Sequence, residues 1–369
     1  MRDLAARILS DHTTPERLQE VEAGQDRFDR RLWDELARSN LLALALPPDV
    51  GGSGYGLFET GLLLEQQGRT VAPVPLLPTL VLGALPVANF GTDEQRRRLL
   101  TGVAEGRTVL CGALAVPGTG PGGPASVPVQ AVAAGDGWRL HGSVSFVPAA
   151  HLAERIVVPA QTGVGRGVFL LDPRAAGCSR TRLTITGGEP QFRLDLDGVP
   201  VADRDVLTAP PDGDAVVAWM AVRATAALCA LQVGVADQAV RMTAAYTNGR
   251  EQFGHPLSRF QAVQQRLADA YIDVECMRVT AWQATWRLDR GLPAEAEVAM
   301  AKFWAAEAGQ RVAATAQHLH GGVGVDLAYP LHRYFLWAKQ IELTLGPATA
   351  HLARLGADLA AGRLSATPD

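Results

Sequence analysis

Arg250-Glu251-Gln252-Phe253-Gly254-His255-Pro256-Leu257 sets a guanidinium, an amide and an aromatic ring beside a glycine, and Phe260-Gln261 follows closely. Farther along, His318-Leu319-His320-Gly321-Gly322-Val323-Gly324 runs on to Tyr329-Pro330. A planar guanidinium suits a pyrophosphate because its fork makes paired, charge-assisted hydrogen bonds. Glycines let backbone approach a ligand closely, and an aromatic ring offers it an apolar face. Each residue also has an ordinary reading. Arg250 could cap a helix carboxyl end, Phe253 could be core, and Gly321 and Gly322 could simply turn the chain.

Composition narrows the classes. A chain of 369 residues is long enough for two or three domains with substantial cores. Its formal charge of −4, with signs mixed, argues against nucleic acid or an anionic membrane as the main partner. Arg96-Arg97-Arg98 is short and reads as a solvated helix face. Cys111, Cys178, Cys229 and Cys276 are far apart and have no metal-ligand spacing, so free thiols in a reducing cytoplasm are expected. Asp3 comes early and no long apolar core follows, which argues against a secretory signal. The apolar stretch 215–235 contains Arg223 and Gln232, so it reads as a buried helix and not a membrane span.

The elements that position these residues follow the hydrophobic period. Over 1–111 it is helical, with Leu32, Trp33, Leu36 and Ala37 on one face. Thr92-Asp93-Glu94-Gln95 reads as a capping box, and Pro47 to Gly54 as a turn. Over 112–207 the period becomes two. A hairpin around Gly135-Asp136-Gly137 leads into Trp138 to His141, and further strands fit 155–158, 168–171 and 192–196. This middle region reads as a small β-barrel or sandwich, with 117–128 as a Pro/Gly-rich loop. From 208 to 369 helices return over 214–246, 293–318 and 334–343. Phe260, Val263, Leu267, Tyr271, Val274, Met277 and Ala281 form an apolar stripe on another. Such helices favour a bundle that assembles with copies or partners. The fold class is mostly α with a central β-domain.

Taken together, these motifs resemble the acyl-CoA dehydrogenase family over essentially the whole chain. Pro47 to Gly54 is similar to that family's Pro-x-x-x-Gly-Gly-x-Gly turn, and Asp197-Gly198-Val199-Pro200 to the segment closing its β-domain. The stretch from Leu331 to Gly346 looks most like an actinobacterial branch, some members of which are subunits of heteromeric dehydrogenases acting on steroid side-chain CoA thioesters. The resemblance implies an N-terminal helical domain, a middle β-barrel and a C-terminal four-helix bundle. It implies FAD between two subunits, a carboxylate that removes the α-proton, and a flavin that takes hydride from the β-carbon. By the same resemblance Arg250, Gln252, Phe253, Gln261, Gly321 and Gly322 contact the cofactor. His318 stands where the family has glutamine, with Gln317 next to it.

The resemblance also exposes gaps. The family's catalytic glutamate falls on Leu345, and its alternative position, just before Arg223, falls on Val222. Glu342 lies three residues before Leu345, roughly 4.5 Å along a helix, and is the fallback base. Arg223 reads either as a paired buried charge or as an acyl-thioester contact. Ala115-Val116-Pro117-Gly118 replaces Thr-Glu-Pro-Gly, Pro121-Gly122 replaces Ser-Asp, and Phe146-Val147-Pro148 replaces Trp-Ile-Thr. Pro148 offers no hydroxyl and no backbone donor. The resemblance therefore implies a base-lacking subunit whose homologous partner carries the catalytic glutamate, with an acyl-CoA substrate and an electron-transferring flavoprotein as acceptor. The alternatives are a self-sufficient homotetramer and a flavin-free acyl-CoA-binding scaffold.

Overall fold

The computed structural model describes residues 1–114, 129–135 and 137–363. Helices lead: α1 (Arg2–His12), α2 (Pro15–Ala23), α3 (Arg30–Arg38), α4 (Leu57–Thr70), α5 (Leu85–Phe90) and α6 (Asp93–Ala104). Strands follow as β1 (Val109–Gly112), β2 (Val129–Ala134), β3 (Gly137–Pro148), β4 (Ala153–Thr162), β5 (Gly165–Leu171), β6 (Cys178–Leu183), β7 (Gln191–Ala202) and β8 (Val206–Thr208). Helix returns with α7 (Gly213–Gly249). The short strands β9 (Glu251–Gln252) and β10 (His255–Pro256) precede α8 (Gln261–Asp289), α9 (Glu295–His320), α10 (Leu331–Leu343) and α11 (Ala348–Ala360). The helical, β, helical order expected from the change of period is observed. The readings placed on 115–118, 121–122, 117–128 and Asp136 lie outside the described residues.

The chain forms two compact units, one of Glu16–Thr60 and Pro73–Ala224, the other of Met1–Pro15, Gly61–Ala72 and Thr225–Asp369. In the first, the expected barrel or sandwich is one mixed sheet in the order β6-β7-β3-β2-β4-β5-β8, with β1 parallel to β4. Alternate residues of β7, Phe192, Leu194 and Leu196, join Leu140, Val144, Ile156 and Phe169 in its core. The capping box forms at α6, and Gln95 Nε2 also donates to the carbonyls of Arg204 and Val206, both at 2.9 Å. The arginine run departs from the expected solvated face. Arg96 pairs with Asp93 and Arg98 with Asp205, because carboxylates on the same turn and after β7 lie within reach.

Helix α7, which belongs to the second unit from Thr225 onward, is long and apolar enough to cross a membrane by length and composition, yet 67% of its most apolar window is buried in the fold. It packs closely on α4. A Cβ at Gly234 would lie 1.9 Å from the Glu65 carbonyl oxygen, and one at Gly68 would lie 2.2 Å from that of Leu231. Backbone contact this close forces helices apart when a methyl is added. Gly234→Ala is therefore expected to lower unfolding free energy by about 1–3 kcal/mol, read as a shift in denaturant midpoint. The α8 stripe is only half core. Val274, Met277 and Ala281 are buried, whereas Tyr271 is 59% exposed. Helical period identifies a face of a helix, but not how far along it neighbouring helices reach.

Candidate functional site

Residues 250–256 form a tight antiparallel hairpin in which His255 pairs with Gln252 and Pro256 with Glu251. Its two-residue loop is Phe253 (φ 54°) and Gly254 (φ 76°). Positive φ at both central positions is the twist that joins two right-twisted strands tightly. Glycine adopts it freely, whereas phenylalanine pays roughly 1–2 kcal/mol. Phe253 is nonetheless 90% exposed, with Phe260 edge-on at 6.2 Å. The core reading of Phe253 is thus excluded. A strained, solvent-facing aromatic is the pattern of a residue held ready for a ligand or partner.

Arg250 donates its backbone N–H to the Tyr246 carbonyl at 2.8 Å and accepts from Leu257 N–H at 2.8 Å. Its exposed guanidinium has no hydrogen-bond or ion-pair partner among the described residues, so it does not cap α7. Gln252 is exposed and donates to the Glu251 carbonyl at 2.8 Å; Gln261 is exposed at the start of α8.

Three aromatic rings hold this hairpin beside the glycine turn. Tyr246, one helical turn before Arg250, stacks on His320 with centroids 4.4 Å apart. His320 closes α9 and immediately precedes Gly321. Its Nδ1 lies 2.8 Å from the Ala316 carbonyl and its Nε2 3.1 Å from the Tyr329 hydroxyl. A carbonyl can only accept, so Nδ1 carries the proton and Nε2 accepts from Tyr329. Burial pushes the imidazole below its ordinary value, in keeping with this neutral tautomer. The ends of α7 and α9 and the start of α10 are tied together in this way.

Gly321 (φ 61°) and Gly322 are exposed, with open space where a Cβ would stand. Gly324 differs: a Cβ there would meet the Gln317 amide at 2.5 Å. That amide, oriented by its neighbours, donates to the Gly324 carbonyl and accepts from Val325 N–H, both at 3.1 Å. Gln317 therefore braces the turn, while His318 is exposed and has no polar partner among the described residues. Val325 and Leu327 beyond it are 66% and 72% exposed.

The positions expected for a base hold apolar side chains. Leu345 is half-buried at φ 58°, followed by Gly346 at φ 98°. Glu342 is half-buried, and its carboxylate accepts from Lys339 Nζ at 2.6 Å. In the sheet-bearing unit Val222 is half-buried, and the Arg223 guanidinium sits 3.9 Å from the Trp219 ring centroid. Phe146 (φ 60°) occupies an irregularity in the pairing of β3 with β7, and Pro148 ends β3.

Chemically, the hairpin and glycine turn could hold a dinucleotide. A guanidinium without a partner among the described residues suits a diphosphate, an exposed ring suits a flat heterocycle, and open backbone would allow close approach. The donor set fits FAD on this unit. At Phe146-Val147-Pro148 it does not supply the hydroxyl that would address a flavin ring. The sequence singled out Arg250, Phe253 and the glycines and named Tyr329 and Gln317 beside them without their contacts, but it missed Tyr246. The available signal was an aromatic one turn before Arg250.

Comparison with known proteins gives a consistent picture. Residues 1–107 match the family model "Acyl-CoA dehydrogenase, N-terminal domain" and residues 212–360 match "Acyl-CoA dehydrogenase, C-terminal domain". The chain is 41% identical over 356 residues to acyl-CoA dehydrogenase FadE27 of Mycobacterium tuberculosis, covering 94% of this chain and 92% of that one. Among solved structures it resembles a variant of Tcur3481-Tcur3483, described as a steroid ACAD, with 47% identity, TM-score 0.90, and 99% and 98% of the two chains covered. It also resembles the ChsE4-ChsE5 complex of Mycobacterium tuberculosis, with 40% identity, TM-score 0.90, and 100% and 97% covered.

Proposed function

Since this chain belongs to the acyl-CoA dehydrogenase family, we propose that it is the base-lacking subunit of a heteromeric, FAD-dependent acyl-CoA dehydrogenase. One asymmetry carries the reading. The unit bearing Arg250, Phe253, Gly321 and Gly322 is built to meet a dinucleotide, while Val222 and Leu345 occupy the positions where a base is expected. FAD, when bound, supplies the acceptor for the hydride leaving the β-carbon of the thioester.

The chain's own residues have separable parts. Arg250 would pair with the diphosphate of FAD held together with a neighbouring subunit. Phe253 covers an apolar face of the cofactor, Gln252 and Gln261 supply amides, and the open backbone of Gly321 and Gly322 lets it approach; exposed His318 adds a ring nitrogen. The homologous partner contributes the glutamate that takes the α-proton. Support for a hetero-assembly is the likeness to a complex of two chains, and the steroid description of a neighbour makes a steroid side-chain CoA thioester the leading substrate class. An electron-transferring flavoprotein would reoxidise the flavin. Four unpaired cysteines favour a cytoplasmic setting. A self-sufficient enzyme using Glu342 is less favoured, because Lys339 already occupies that carboxylate.

FAD retention in the co-purified assembly tests this. Removing one guanidinium that pairs with a diphosphate should raise the dissociation constant for FAD by roughly ten- to a hundredfold. Arg250→Ala should therefore leave the assembly intact by size-exclusion chromatography but deplete its flavin absorbance after dialysis. Undiminished flavin in an intact assembly would remove Arg250 from the cofactor site.

A further inference from the structure

The chain has 34 basic residues, of which two are lysines, Lys302 and Lys339, and both bind Glu342. Lys339 holds its carboxylate. Lys302, 0% exposed in the middle of α9, donates from Nζ to the carbonyls of Ile341 at 2.8 Å and Glu342 at 3.0 Å. These are last-turn carbonyls of α10, which have no partner within their own helix and sit at its negative end. An ammonium is a compact donor that can reach two adjacent carbonyls from a narrow interior space; a planar guanidinium is wider. Burial pulls Lys302 down to about 8, and in either protonation state the amine keeps the two N–H donors that the two carbonyls accept.

A second donor arrives from the other side. His351 of α11 is 1% exposed and its Nε2 lies 3.0 Å from the Leu345 carbonyl. Burial pushes this imidazole down to about 4, so it is neutral, and Nε2 must carry the proton it donates. Between the two donors, Thr344 Oγ1 donates to the Gln340 carbonyl at 2.8 Å. Leu345 lies within this frame at φ 58°, a conformation that costs a leucine roughly 1–2 kcal/mol and persists only where its surroundings impose it.

We propose that Lys302 and His351 are positioning residues that clamp the corner 342–346 from α9 and α11, holding Leu345 in its left-handed conformation. This chain then keeps a rigid corner at the place of the lost base and presents a fixed apolar side chain there in place of a carboxylate. The importance of the corner rests on the function proposed above; the clamp itself does not.

Hydrogen exchange read by mass spectrometry on the assembled protein tests the clamp without relying on activity. Exchange of the peptide spanning 340–346 should rise roughly tenfold or more in Lys302→Met and in His351→Leu, each of which deletes buried donors. His351→Gln keeps an N–H donor and should restore the parental rate, whereas an ordinary packing role would not distinguish Gln from Leu in this way. Peptides from α7 and α8 should stay within about twofold of the parent. Three results would overturn the clamp: equal acceleration throughout the unit, unchanged exchange over 340–346 in both deletions, or failure of Gln to restore it. If Lys302→Met does not fold, the His351 pair decides alone. Loss of FAD binding in Arg250→Ala with normal exchange over 340–346 would leave both proposals standing. Normal FAD binding there would remove only the cofactor reading.

Discussion

Purified alone, the chain is expected to dehydrogenate acyl-CoA thioesters roughly 100- to 10,000-fold more slowly than it does with a homologous subunit that carries a glutamate base. The α-carbon of a thioester is only modestly acidic, so hydride transfer must be matched by a positioned proton acceptor. Val222 and Leu345 cannot accept a proton, and Glu342 is held through its carboxylate by Lys339 and through its carbonyl by Lys302. The measurement is single-turnover flavin bleaching with a panel of acyl-CoA thioesters, first on the chain and then on the assembly. Turnover that appears only with the partner, and vanishes when the partner's glutamate becomes glutamine, is the expected pattern. Robust turnover by the chain alone, abolished by Glu342→Gln, would establish the self-sufficient enzyme instead. Leu345→Glu is not expected to rescue the isolated chain, since Pro148 supplies no hydroxyl on the sheet-bearing unit.

Arg278→Met should cost about 3–5 kcal/mol of stability, a larger effect than any surface substitution. Arg278 is buried, pairs with Glu65, and lies 3.3 Å from Asp237 and 3.2 Å from Glu275. Glu65 is 1% exposed, so losing this partner leaves a desolvated carboxylate whose remaining ion-pair partner among the described residues is Arg2 at 2.8 Å. Denaturant unfolding of the assembled protein reads the loss. Changing Glu65 and Arg278 together to methionine should recover part of it, because no charge is then stranded. An unchanged midpoint in the single variant would show that the network is dispensable. The network also has a pH signature. Burial raises the Asp237 carboxyl, but hydrogen bonds from Arg241 and Arg69 outweigh it and the net shift is downward. A carboxylate depressed in the folded state contributes stability above its unfolded value of 3.8, which is lost as the pH falls through the lower folded one.

Local physics was legible without a structure. Period and turn chemistry act over a few residues, so the order helix, strand, helix could be read, as could the Thr92–Gln95 capping box and the burial of α7. That Val222 and Leu345 cannot take a proton was equally plain, because a side chain's proton chemistry belongs to its identity. Partnerships across sequence were not legible. Nothing near Arg250 announces that Tyr246 stacks on His320, yet that ring pair brings two motifs some seventy residues apart in sequence to one place. Exposure was also hidden: an aromatic in Arg-Glu-Gln-Phe-Gly suits a core as well as a surface until the hairpin turns Phe253 outward. Nothing in the sequence around Lys302 marks it out, because only the packing of α9 against α10 shows which carbonyls its amine meets. Sequence by itself determined that positions 222 and 345 carry apolar side chains and which elements the chain forms. Tertiary structure decided which donors converge, since burial and hydrogen-bond partners are set by residues far away along the chain.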